Sequence, residues 1–125
     1  MLLLPLFAGP LTASADVPVP RTSLPYVSAV KAPEKVRSGD AALVKIEGSW
    51  PDPSWSLGGV RIRKEGRKVF VALEGKPRRD GFFPMVLVPF VATASLPVLP
   101  AGLWTVVAPG RTEDATCSLR VLSGH

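Results

Sequence analysis

One histidine and one cysteine bound the chemistry open to this 125-residue chain. His125 is the last residue, a place where a side chain is expected to be poorly held and to make a weak general base or metal ligand. With no second histidine and no paired cysteine, Ser/His/Asp and Cys/His nucleophilic chemistry and thiolate-rich zinc sites are not expected. Cys117 falls in the alternation Ala115-Cys117-Leu119-Val121, which predicts a buried free thiol acting as a small hydrophobe. The carboxylates are scattered through turns and strand faces. Asp52 and Asp80 are candidate calcium ligands, yet neither sits in a run of oxygen ligands, and no Gly-rich phosphate loop occurs. The expectation is a protein that is not an enzyme and carries no cofactor or metal.

Binding chemistry is better represented. Arg61, Arg63, Lys64, Arg67, Lys68, Lys76, Arg78 and Arg79 fall within nineteen residues and make up more than half of all lysine and arginine. Alternation places Arg61 and Arg63 on the face of a strand opposite Val60 and Ile62. Phe70 is out of phase with Val69, Val71 and Leu73, so it is expected to sit exposed beside those arginines. Cations with one aromatic ring can hold phosphates or carboxylates and stack a ring. The competing reading is a solvated hairpin whose charges resist edge-to-edge aggregation. A second candidate is Trp50 with Trp55, in a Pro/Ser-rich loop. Exposed, the pair suits protein or carbohydrate recognition; folded back, it caps the core.

The elements that must position these residues are short strands. Tyr26–Val30 and Ala41–Gly48 alternate, Gly59–Lys64 and Lys68–Glu74 flank a tight turn at Glu65-Gly66-Arg67, and Met85–Thr93 is an apolar run interrupted by Pro89. Pro89 predicts an edge or bulged strand. Leu99-Pro100-Ala101-Gly102 is expected to carry the chain from one sheet to another, with Trp104 plugging the corner at the start of the strand Leu103–Ala108. Ala115–Leu122 closes the set. Fourteen prolines oppose long helices, and seven short strands without helical periodicity predict an all-β antiparallel sandwich.

This pattern resembles an immunoglobulin-like module of bacterial secreted proteins and lipoproteins, over residues 26–122. The resemblance rests on Gly48-Ser49-Trp50-Pro51-Asp52, Val88-Pro89-Phe90 and, most specifically, Leu99-Pro100-Ala101-Gly102-Leu103-Trp104-Thr105-Val106. It implies an immunoglobulin-like β-sandwich of about seven strands outside the cytoplasm, and no catalytic residues. Relatives often carry a cysteine pair near Pro53–Trp55 and Gly81–Pro84. Its absence here implies an apolar cluster of Trp55 with Phe82 or Phe83 in its place.

Residues 1–15, MLLLPLFAGPLTASA, read as an export signal: an apolar run from Leu2 to Ala8, a break at Gly9-Pro10, and small residues at Ala13 and Ala15 before Asp16. Cleavage after Ala15 and a periplasmic or secreted location follow as expectations. No Lys or Arg precedes the apolar run, a departure from the usual signal, and a buried N-terminal strand is the alternative. The run is too short and too proline-rich for a transmembrane helix. Residues 16–25, with alternating prolines, are expected to form an extended spacer or a loosely held edge strand, leaving 26–125 as the sandwich. The net charge of +5 fits either a mildly basic surface or a polyanionic partner, and the lack of Asn and Gln is a thermophile-like trait that high genomic GC content would also produce. Three functions remain open: an envelope adaptor binding another protein, a polyanion binder using hairpin 59–79, and a loop-presenting protease inhibitor.

Overall fold

Alternation along the chain builds two facing sheets in the computed structural model, which describes residues 19–123. The proposed export signal and residues 16–18 lie outside the described residues. The strands are β1 (Tyr26–Lys31), β2 (Lys35–Arg37), β3 (Leu43–Trp50), β4 (Trp55–Glu65), β5 (Lys68–Pro77), β6 (Val88–Ser95), β7 (Gly102–Ala108) and β8 (Ala115–Leu122). One sheet has the order β1-β3-β6 and the other β2-β8-β7-β5-β4. Val44 and Ile46 of β3 meet Val69, Val71 and Leu73 of β5, Val106 of β7 and Leu119 of β8 in one core. The all-β sandwich expected from the sequence is therefore present. Besides a 3-10 turn at Arg21–Ser23, no helix occurs among the described residues, and none is long and apolar enough to cross a membrane.

Two features differ from expectation. There are eight strands rather than seven, because β2 is only three residues long, follows Pro33, and is too short to register as an alternating run. The five-stranded sheet is also mixed rather than wholly antiparallel: β2 runs parallel to β8, and β5 parallel to β7. The second parallel pair has a topological cause. The chain leaves β5, crosses to the opposite sheet as β6, and returns as β7, so two reversals bring it back in its original direction.

The return crossing is the Leu99–Gly102 corner. Leu99 and Trp104 are both buried, and the Trp104 indole Nε1 donates to the Pro100 carbonyl at 2.9 Å. The Arg67 guanidinium lies 5.2 Å from the Trp104 ring, and Arg67 O accepts from Thr105 N at 3.0 Å. The corner thus holds the β4–β5 turn against β7. That turn is Gly66-Arg67, with Gly66 at φ +60°, where a two-residue hairpin loop requires a left-handed residue. Pro89 lies on β6, an edge strand, as its missing N–H requires.

Candidate functional site

Register across β4 and β5 decides where the basic run goes. Arg63 lies opposite Phe70 and Arg61 opposite Ala72, so these four share the outer face of the five-stranded sheet while Val69, Val71 and Leu73 face the core. Arg63 stacks 4.5 Å from the centre of the Phe70 ring and reaches Glu65 at 3.2 Å; Arg61 Nε donates to Glu74 at 3.0 Å. Arg67 is drawn to the Trp104 corner. Arg78 sits at the opposite end of the hairpin, 5.5 Å from the Phe83 ring and 3.6 Å from Asp80, with Arg79 exposed beside it. A ten-residue strand at about 3.3 Å per residue spans roughly 30 Å, several Debye lengths at physiological salt. The basic run is therefore not one patch.

Register instead brings a smaller group of cations together around Leu103, at the other side of the same sheet face. The parallel β2–β8 pair sets Lys35 beside Arg120 and Arg37 beside Leu122, and the β7–β8 register sets Arg120 opposite Leu103. One step along, Ser118, Thr105, Lys68 and Glu65 form a row across four strands; the next row is Thr116, Val107, Phe70 and Arg63. This outer face presents Lys35, Arg37, Lys68, Arg120, Arg61 and Arg63, joined by Arg21 from the N-terminal segment, against Glu34, Glu65, Glu74 and Asp114. Lys35, Arg37, Lys68 and Arg120 make no ion pair among the described residues. Glu34, Lys35, Leu103, Ser118 and Arg120 line a shallow depression of about 350 Å³. Leu103 is 60% exposed in its floor. Sequence reading missed Arg21, Lys35, Arg37 and Arg120. The out-of-phase Ser118 and Arg120 beside Cys117, Leu119 and Val121 gave a signal for the last.

A second concavity, about 290 Å³, lies where residues 19–25 cross this face. Its walls include Arg21, Arg61, Arg63 and Asp114, and its floor Leu24, Phe70 and Ala72. That volume lies at the lower end of the range of ligand cavities. The segment is not a free spacer: Leu24 is 2% exposed and Pro25 is buried. The β7–β8 loop clamps it. Arg111 Nε donates to Leu24 O at 3.1 Å, Nη2 to Thr22 O at 2.9 Å, and its guanidinium faces the Tyr26 and Trp55 rings at 5.7 and 5.1 Å. Arg21 Nη1 donates to Gly110 O at 2.7 Å and to Asp114 at 2.9 Å. The hydrogen bond from Arg21 holds the Asp114 carboxyl below the usual carboxylate range, and Asp114 raises the Arg21 guanidinium in turn.

Trp50 and Trp55 are packed. Trp50 is buried, stacks on Trp55 at 6.2 Å between centroids, and lies 5.1 Å from Phe90. Gly75 lets both rings approach: a Cβ there would sit 2.5 Å from Trp50 Cζ3 and 2.7 Å from Trp55 Cε3. The loop between β3 and β4 is turned by Asp52, whose carboxylate accepts from Ser54 N at 2.8 Å and from the Ser54 hydroxyl. The aromatic partner of this pair is Phe90, not Phe82, which is fully exposed, nor Phe83, which lies beneath Arg78. Cys117 packs against the core, and desolvation pushes its thiol pKa up, which lowers its reactivity. Among the described residues, no three His, Cys, Asp or Glu side chains gather as a metal site. No protein-family model, curated protein or solved structure matches this chain.

Proposed function

We propose that the chain is an exported, non-catalytic binding domain of the bacterial cell envelope, immunoglobulin-like in organisation, that holds an acidic surface of a protein partner. The docking site is the outer face of the five-stranded sheet. The observation that carries this reading is the excess of cations there, four of which have no carboxylate partner among the described residues. The interspersed Glu65, Glu74 and Asp114, with exposed Leu103 between the cations, favour a protein partner over a uniform polyanion. A polyanion would be repelled at each carboxylate, whereas a protein surface can match the mixed pattern. The Leu99–Gly102 corner with its buried Trp104 supports the immunoglobulin-like assignment. The export signal rests on residues 1–15 alone.

The test is the affinity for a synthetic acidic peptide with interspersed aromatics, measured by fluorescence anisotropy against salt. Exposed charge contacts are worth about 0.2–1 kcal/mol each, so the triple variant K35E/K68E/R120E is expected to bind about 3- to 100-fold more weakly and with a shallower salt dependence. R78E/R79E, at the far end of the hairpin, is expected to bind as the parent does. Loss with R78E/R79E and not with the triple variant would move the site and refute the proposal.

A further inference from the structure

The three-stranded sheet ends on β6, and β6 has an open edge. In an antiparallel pair, opposite residues alternate between exchanging both backbone hydrogen bonds and exchanging none. Leu96 N donates to Ala42 O at 2.8 Å, and the register continues through Val44–Ala94, Ile46–Ala92 and Gly48–Phe90. The intervening residues Val91, Thr93 and Ser95 therefore turn their N–H and C=O groups away from β3. None of them finds a backbone partner among the described residues. Pro89 and Pro97 occupy the same outward phase and have no N–H to offer.

The prolines are placed symmetrically, four residues either side of Thr93. We infer that this edge binds the same edge of a second copy of the chain, antiparallel, about a two-fold axis at Thr93. In that register Thr93 pairs with Thr93 of the second copy and Val91 with its Ser95, each copy donating three N–H groups. Pro89 falls opposite Pro97, so the ladder stops at both ends for lack of donors. A shift in either direction would set a donor-less proline against Val91 or Ser95 and waste a hydrogen bond. The two sheets would join into one of six strands.

Charge supports a second copy as the occupant. A protein of net charge +5 repels itself, yet not one charged residue lies between Gly81 and Gly110. The edge lacks the lysines that usually guard such strands. Val91 is 63% exposed on it, and Met85, Val86 and Leu87 before it and Val98 after it are also exposed. The two-fold brings Met85–Leu87 of one copy alongside 99–101 of the other, next to Val98. These five exposed side chains lie along and at both ends of the edge, where they add apolar contact to the paired backbone. Neutral, apolar and self-complementary in its donors, the edge fits a second copy.

Two variants leave β3 pairing intact. Thr93→Pro removes an N–H that β3 does not use, and Thr93→Lys sets two like charges opposite each other at the two-fold axis, beside Lys45 rather than a carboxylate. Sedimentation equilibrium of the 125-residue chain from about 1 μM to 1 mM is expected to show a monomer–dimer equilibrium, with dissociation constants at least tenfold higher in both variants. Urea midpoints of monomeric samples confirm that the variants fold. Hydrogen exchange supplies a separate readout: amides of Val91, Thr93 and Ser95 gain protection with protein concentration, while those of Phe90, Ala92 and Ala94 are protected throughout. A parent chain monomeric at every concentration, or a dimer that both variants form equally well, would overturn the inference.

Discussion

Arg111→Ala tests how the N-terminal segment is held over the sheet. Arg111 donates to Leu24 O and Thr22 O and faces two aromatic rings. Thr22 is exposed, so water replaces the arginine at its carbonyl in the variant. Leu24 is buried, and its carbonyl loses a charged donor, a deletion worth about 1.5–3 kcal/mol. Two ring contacts at these distances add about 1 kcal/mol together. The loss is thus about 3 kcal/mol, a large part of the 5–15 kcal/mol that stabilises a typical domain. Arg111→Lys is expected to recover less than half, because an ammonium cannot reach both carbonyls as the guanidinium fork does. Urea unfolding followed by tryptophan fluorescence measures it, since Trp55 lies against this guanidinium. A loss under about 0.5 kcal/mol would refute the clamp and with it the fixed wall of the cleft.

Asp114 has its carboxyl pKa depressed in the folded state, so its contribution is complete above the unfolded value near pH 3.9 and is lost as pH falls through the folded one. Asp114→Asn should flatten the acid limb of a stability–pH curve below about pH 4; an unchanged limb would contradict this. Gly75→Ala drives a methyl between Trp50 and Trp55 and should cost about 1–3 kcal/mol, with a shift in tryptophan emission. An unshifted spectrum at parental stability would count against the packed pair. Trp104→Phe removes the indole bond to Pro100 O and should lower stability by about 1–2 kcal/mol in the same urea experiment, whereas no loss would show that the corner does not depend on it.

The strands were legible wherever one face is buried. Val44 and Ile46 alternate with Lys45 and Glu47, and Val69, Val71 and Leu73 leave Phe70 out of phase, where the structure puts it. The sheet change at Leu99–Gly102 was legible from the break in the apolar run. Grouping of the cations was not. Eight basic residues adjacent in sequence separate along a hairpin, while Lys35 and Arg120, eighty-five positions apart, become neighbours through a parallel pairing that a three-residue strand does not advertise. Trp50 and Trp55 flank a Pro/Ser-rich stretch that reads as one loop, whereas they end β3 and begin β4, and the approach allowed by Gly75 lets both rings pack together. The docking of residues 21–25 depends on Arg111 and Arg21, whose partners lie almost ninety residues away.

The function proposed for this domain is the docking of an acidic partner on the outer face of the five-stranded sheet. Amide chemical-shift mapping with an acidic, aromatic-containing peptide tests it most directly. Perturbations are expected at Lys35, Leu103, Thr105, Ser118, Arg120 and Lys68, fading as salt is raised. Perturbations confined to Arg78, Arg79 and the loop that follows, or none on the sheet face at low salt, would contradict it.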